Sequence, residues 1–244
     1  MPKIFGIEHI IYMIITFAVM IAGLILIGKF CKSDKSKLLT VKISGIVLLI
    51  TILINRYACT VYWPGCNYLP ASLCGTLSLI FGIFLIVARK DSKLLHSIVY
   101  AALLAGLFST IYPTYIGQGS TIFCFPTITS LLHHSMDIFC AILLFVTGWV
   151  KPNIKKWASW LFLYFGLICY GLFMIKYMGE SNAMSINAPL LAGTNLDWLH
   201  LGLYFTIVYT VFLIVYDVIK NKKNCIFVEW YNGIKSCFTK KKDN

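Results

Sequence analysis

Charge is what this sequence has least of. Only 12% of its 244 residues are charged, while 59% are hydrophobic. A soluble globular domain carries roughly a quarter charged residues, so that class is excluded. Disorder is excluded too, because it needs few apolar residues and many charges. Acid is scarcer still: 9 Asp and Glu stand against 21 Lys and Arg, for a net charge of +12. The sequence also lacks CxxC pairs, Cys/His metal spacings and any repeat of 20–50 residues. No pair of spans is interrupted by Pro and Gly in the manner common in transporters.

What is there is long apolar blocks and a mean hydropathy of +0.81. They predict an all-α, polytopic protein of the cell membrane. Seven spans are expected at about 10–28, 38–54, 69–87, 94–111, 125–150, 157–177 and 198–219. Each is near the roughly 20 residues that cross the hydrocarbon core. Helices are the expected form, since unpaired backbone groups are costly in lipid. The N-terminal block is too long for a signal-peptide core and has no small-x-small cleavage site, so it reads as a retained first helix.

The basic residues sort by loop. All but Lys3, Arg56 and Lys176 fall in or around the first, third and fifth connections or after Ile219, with Lys42 near the start of the second span and able to snorkel to the interface. By the positive-inside rule this puts the N-terminus outside and the C-terminus inside. It also removes nucleic acid as a partner, because the charge lies in short loops between spans. Membrane lipids are the expected partners. Residues 1–219 form the transmembrane domain, and 220–244 a basic cytoplasmic tail facing anionic inner-leaflet lipids. In that tail Phe227, Trp230, Tyr231, Ile234 and Phe238 recur at helical spacing, which suits either an amphipathic helix or a frayed end.

Polar residues inside spans are expensive, so their placement is informative. Glu8 and His9 open the first span, and Asn55 and Arg56 close the second. Ser72, Cys74 and Thr76 lie early in the third. His133, His134 and Asp137 lie in the outer half of the fifth. Asn187, Asn195, Asp197 and His200 precede or open the seventh. Only His96, of five histidines, falls near the inner side. This common depth suggests a cavity opening outward, with the irregular connections 113–126 and 179–195 available to cover it.

His133 and Asp137 are i,i+4 neighbours, and His134 and Asp137 are i,i+3. The carboxylate is therefore placed to hold an imidazole and fix its tautomer. Cys74, about 8 Å along a helix begun at Leu69, would share that depth. A thiol beside an imidazole is the minimal nucleophile–base pair for acyl transfer. Adjacent histidines point about 100° apart on a helix, which argues against both holding one zinc ion. No metal and no cofactor is expected. Cys59, Cys66 and Cys124 fall in predicted outer loops, where an oxidising exterior would allow a Cys59–Cys66 bridge.

Leu69-Pro-Ala-Ser-Leu-Cys74 resembles the Leu-Pro-x-His-Leu-Cys motif of YwaF-type bacterial integral membrane proteins. His133 in Leu-Leu-His-His-Ser resembles the fifth-span histidine of that family. Glu8-His9 resembles its N-terminal Glu-His pair. Ser72 stands where the motif has histidine. That family is similar to the transmembrane protein 164 family, associated with phospholipid acyl transfer through a cysteine. The resemblance implies Cys74 as nucleophile and His133 as base, and seven spans over nearly the whole chain.

Three functions follow as expectations. The first is a thiol-dependent lipid acyltransferase or hydrolase with Cys74, His133, His134 and Asp137 as catalytic residues, and Ser72, His9 and Asn187 touching substrate. The second is a small-solute transporter or transporter subunit using the His/Asp cluster. The third is a non-catalytic membrane sensor or assembly partner, in which the cluster is only helix glue.

Overall fold

The computed structural model describes residues 3–63, 65–113, 119–191, 193–222 and 225–239. Among these the chain is all-α, without strands. Its α-helices are α1 (Ile7–Phe30), α2 (Asp34–Tyr62), α3 (Leu73–Val87), α4 (Lys93–Ile111), α5 (Phe125–Val146), α6 (Ser159–Met178), α7 (Trp198–Asn221) and α8 (Ile226–Thr239). Short 3-10 turns lie at Ile154–Lys156 and Ala183–Ser185.

Local chemistry sets the helix ends. Ser33, Ser72 and Ser92 cap α2, α3 and α4, each hydroxyl accepting a backbone N–H from the first turn. Pro126 sits in the first turn of α5, where its missing N–H costs nothing. Gly148 and Gly179, with φ of +67° and +74°, follow α5 and α6. Trp149 N–H bonds the Leu144 carbonyl and Gly148 N–H the Phe145 carbonyl, a Schellman closure of α5.

Six helical segments are long and apolar enough to cross a membrane. The seventh apolar helix, α3, has 15 residues and is about 22 Å long, short of the hydrocarbon thickness. It was expected to start at Leu69. Instead Leu69–Ser72 is irregular, because protein groups occupy its backbone. The Pro70 carbonyl accepts from Thr76 Oγ1 (2.9 Å) and the Tyr170 hydroxyl (3.0 Å), and the Ala71 carbonyl accepts from Met184 N–H (2.9 Å). Non-helical backbone at membrane depth is tolerated when so satisfied. Two other boundaries differ from expectation. α2 runs to Tyr62, so Asn55, Arg56 and Cys59 lie on helix rather than at its end or in a loop. α5 stops at Val146, because Gly148 turns the chain.

The connections sort into two sets by their mutual bonds. At one end Glu8 Oε2, in the first turn of α1, accepts from Thr121 Oγ1 and Ile122 N–H in the α4–α5 connection. There too Asn67, between α2 and α3, donates to Glu180 Oε1, between α6 and α7. At the other end Asp91, between α3 and α4, pairs with Lys156 after α5 (2.6 Å), and Lys155 pairs with Glu229 of α8 (2.8 Å). The bundle therefore runs up and down. α2, α3, α4 and α5 form its centre, α1 lies on α5, α6 lies on α4, and α7 follows on α6. Only 11% of the α1 span is buried, against 61% for α4 and α5. The large apolar side chains left exposed on α1, α6 and α7 are what lipid-facing helices require.

α2 and α3 cross closely. A Cβ added at Gly45 would fall 2.6 Å from Leu85 Cβ, and one at Gly82 would fall 2.7 Å from Leu49 Cδ2. Small residues at such crossings replace the hydrophobic drive that lipid does not supply.

Candidate functional site

A polar cavity of about 270 Å³ lies at the end of the bundle that carries Glu8. Four helices supply its walls: the last turns of α2 and α4 and the first turns of α3 and α5. Cys74, His133 and His134 line it, with Asn55, Arg56 and Ser109. Cys74 is in the first turn of α3, not 8 Å along it as a start at Leu69 implied. Its thiol accepts a hydrogen bond from Ser109 Oγ at 3.6 Å.

Asp137 is fully buried. Its Oδ2 lies 2.6 Å from Ser78 Oγ and 3.7 Å from His134 Nδ1. Ser78 Oγ is also 3.2 Å from His133 Nδ1. A serine hydroxyl has one proton, and its shortest contact is the carboxylate. Ser78 therefore donates to Asp137 and accepts from His133 Nδ1–H. That fixes the His133 tautomer and leaves Nε2 with a free lone pair, as a base needs. The carboxylate thus holds His133 through Ser78 rather than directly.

Ser78 and Ser109 are the residues that sequence reasoning missed. For Ser78 a signal existed: it is one helical turn from Cys74, on the same face of an apolar helix. Ser109 comes from another helix, and nothing local announces it.

The His133 and His134 ring centroids are 4.0 Å apart. The ligand atoms of His133, His134 and Asp137 all lie within 4.8 Å of one another. The adjacent imidazoles therefore converge, where their helical spacing suggested divergence. Both side chains lean toward the Asp137 carboxylate one turn on.

The other expected residues are placed as follows. Ser72 lines the cavity while its hydroxyl caps α3, accepting from Gly75 N–H at 3.2 Å. His9 lies outside the cavity lining. Phe5 N–H donates to its Nδ1, and Nε2 then donates to the Thr110 carbonyl at 2.8 Å. Together with Glu8 it pins α1 to α4 and the α4–α5 connection. Asn187 is exposed and bonded within its own loop, to Ser181 O and Asn182 Oδ1. The same loop reaches the cavity through Leu190. Residues 114–118 of the other expected cover lie outside the described residues; Tyr112, just before them, lines the cavity. His200 bonds Asp197, and His96 lies at the opposite end, between Tyr209 and Asn153.

Cys59 and Cys66 are free thiols rather than a bridge. Arg56 Nη2 donates to Cys66 Sγ at 2.8 Å and to the Asn67 carbonyl. This turns the guanidinium into the wall of the cavity, and Asn55 ties the same helix to α5 through Thr129 Oγ1 at 3.1 Å.

No curated protein and no solved structure matches the chain. The TMEM164 family matches residues 4–219, from the turn before α1 into the last turn of α7, and the chain belongs to that family.

Proposed function

We propose that this membrane protein transfers or hydrolyses lipid acyl groups through Cys74. The observation that carries the reading is the shared cavity. It sets a thiol at a helix N-terminus in one chamber with an imidazole whose tautomer is fixed through Ser78 by Asp137. His133 Nε2 takes the thiol proton. The thiolate attacks the ester carbonyl, an S–C bond forms, the ester C–O bond breaks, and His133 returns the proton to the leaving alkoxide. A second alcohol, or water, then gives its proton to the same ring and attacks the thioester. The thiol is regenerated, with a new ester or a free acid as product. Ser109 supports the thiolate by its hydrogen bond. Arg56 brings a positive charge to the cavity wall, suited to an anionic lipid headgroup.

The test is thioester formation on purified full-length protein given a labelled acyl ester. Cys74→Ala is expected to abolish the hydroxylamine-sensitive label, and His133→Ala to slow its formation by about 10²–10⁴-fold. Full label retained in Cys74→Ala overturns the reading.

The converging ligand atoms of His133, His134 and Asp137 favour a second reading, in which the cluster binds a cation or a cationic solute. Zinc titration of the purified protein separates the two. A zinc-binding constant lost in Asp137→Asn and unchanged in Cys74→Ala supports the second reading.

A further inference from the structure

Beside the polar cavity lies an apolar slot of about 280 Å³, and the two share Ser72, Cys74, Phe108 and Leu190. The thiol therefore stands where a polar chamber meets an apolar one. The slot's own walls come from Leu77 of α3, Leu104 and Ala105 of α4, Trp160 of α6, and Tyr204 and Phe205 of α7.

Two aromatic linings have a polar atom already committed to protein. Trp160 Nε1–H donates to Thr206 Oγ1 at 2.8 Å, and the Tyr164 hydroxyl donates to the Trp198 carbonyl. The slot thus shows ring faces and aliphatic carbon to whatever enters it. At one end Trp160 is almost fully buried; Leu104 and Tyr204 are exposed on the surfaces of α4 and α7. The slot is closed at its depth and open toward lipid.

The walls also give it a direction. Ser109 touches the Cys74 thiol, and Ala105 and Ala101, one and two turns earlier on α4, line the slot. Ser109 to Ala101 spans about 12 Å. Two alanines on that face leave the space that larger side chains would fill. An apolar cavity of about 150 Å³ accepts benzene, so this slot has room for about ten to twelve carbons.

We propose that the slot holds one acyl chain of a membrane lipid, entering between α4 and α7 with its carbonyl at Cys74, and that Ala105 sets the length of chain accepted. This deepens the acyl-transfer reading and names the part of the substrate that the site grips. Polar ligands are disfavoured, because they would leave their hydrogen bonds unmade.

The experiment uses the full chain as Cys74→Ala, reconstituted in phosphatidylcholine vesicles. These contain a phosphatidylcholine with a diazirine near the methyl end of one chain. After illumination, cross-links are mapped by mass spectrometry. They are expected on Trp160, Ala101 or Phe205, and to fall at least tenfold in Cys74→Ala/Ala105→Phe. A smaller loss is expected with Ala105→Leu, which serves if the phenylalanine variant does not fold. Cross-links in the slot no more frequent than on lipid-facing Ile14 and Ile25 of α1 overturn the proposal, as does indifference to both Ala105 variants. With Cys74 intact, esters of 4, 8 and 16 carbons (about the range that brackets the slot) test the two readings apart. Slot cross-links without thioester would mean that the slot stands and acyl transfer fails. Thioester with a chain-length preference unmoved by Ala105→Leu would mean the reverse.

Discussion

Ser78 on α3 and Asp137 on α5 are joined by a 2.6 Å hydrogen bond inside the bundle. The same hydroxyl meets His133 at 3.2 Å, so one serine couples the nucleophile's helix to the base and to the carboxylate that orients it. Ser78 Oγ also lies 3.0 Å from the Cys74 carbonyl, one turn earlier on the same helix.

Ser78→Ala would leave Asp137 and His133 without their common partner and release the His133 tautomer. Thioester formation on Cys74 is expected to fall by about ten- to a hundredfold, the scale on which metal-binding histidines respond to loss of the partner that orients them. Stability should drop by about 1–3 kcal/mol, because buried polar groups lose a partner. Ser78→Thr keeps the hydroxyl and should restore most of the rate. A serine that only packs would give the stability loss without rescue of the rate by threonine. Single-turnover labelling and thermal melts on the same samples decide it.

Gly106 of α4 lies directly against the polar cluster. A Cβ there would sit 2.7 Å from the His134 carbonyl oxygen and 3.1 Å from Asp137 Cβ. The first contact is backbone, which cannot swing aside, so Gly106→Ala must push α4 away from α5. We expect a loss of about 1–3 kcal/mol, together with reduced labelling of Cys74, because Ser109 moves with α4. Gly166 on α6 is the control. A Cβ there meets nothing within 4 Å, so Gly166→Ala should be neutral or stabilising by up to about 1 kcal/mol. Equal melting shifts in the two variants would contradict this packing.

Much of the fold was legible because lipid makes simple demands. Apolar length marked α1, α4, α6 and α7 to within a few residues. The start of α3 was not legible. Leu69–Ser72 is apolar enough to read as span, and it is irregular only because Thr76, Tyr170 and Met184 satisfy its backbone from elsewhere. The same limit applies to the site. His133, His134 and Asp137 could be grouped because one helix carries them. Cys74 and His133 shared a depth by arithmetic alone. Ser109 and the apolar slot depend on how α3, α4, α6 and α7 pack, which spacing along one helix does not contain. His9 misled for a related reason: its outer position matched the cavity, while its ring is used to hold α1.

Asp197 caps α7 and offers a pH-dependent contribution to stability. Its carboxylate accepts from the backbone N–H of His200 (3.0 Å) and lies 2.8 Å from His200 Nδ1. These bonds hold the carboxyl below its ordinary value. A carboxyl depressed in the folded state stabilises fully above its unfolded pKa, about 3.9, and loses that contribution as pH falls through the folded value. Asp197→Asn keeps a capping oxygen and removes the titration. The melting difference between the wild-type protein and this variant should therefore be constant near pH 6 and shrink below about pH 4. A difference that stays unchanged to pH 3 would show that the carboxylate charge contributes nothing there.

At the other end of α7, Asp217 fastens the final helix. One carboxylate oxygen accepts from Asn221 Nδ2 at 2.6 Å, and the other from Ile226 N–H at 2.7 Å, the first residue of α8. Asp217 is buried at 8% exposure, so the bond to Ile226 is shielded from water, while the Lys155–Glu229 pair of the same helix is exposed and contributes little. Phe227, Trp230 and Tyr231 project from α8 into the surroundings, as on a helix that lies at a membrane surface. Removing the carboxylate should therefore free the start of α8 without disturbing Cys74, which is at the opposite end of the bundle. We expect Asp217→Ala to speed amide exchange at residues 226–232 by about tenfold or more, the loss of about 1.5 kcal/mol typical of a bond to a charged group. Labelling of Cys74 should stay as in the wild-type protein. Lys155→Ala should change exchange little. If instead Lys155→Ala releases the helix and Asp217→Ala does not, then α8 is held by its surface charges, and the buried carboxylate serves α7 alone.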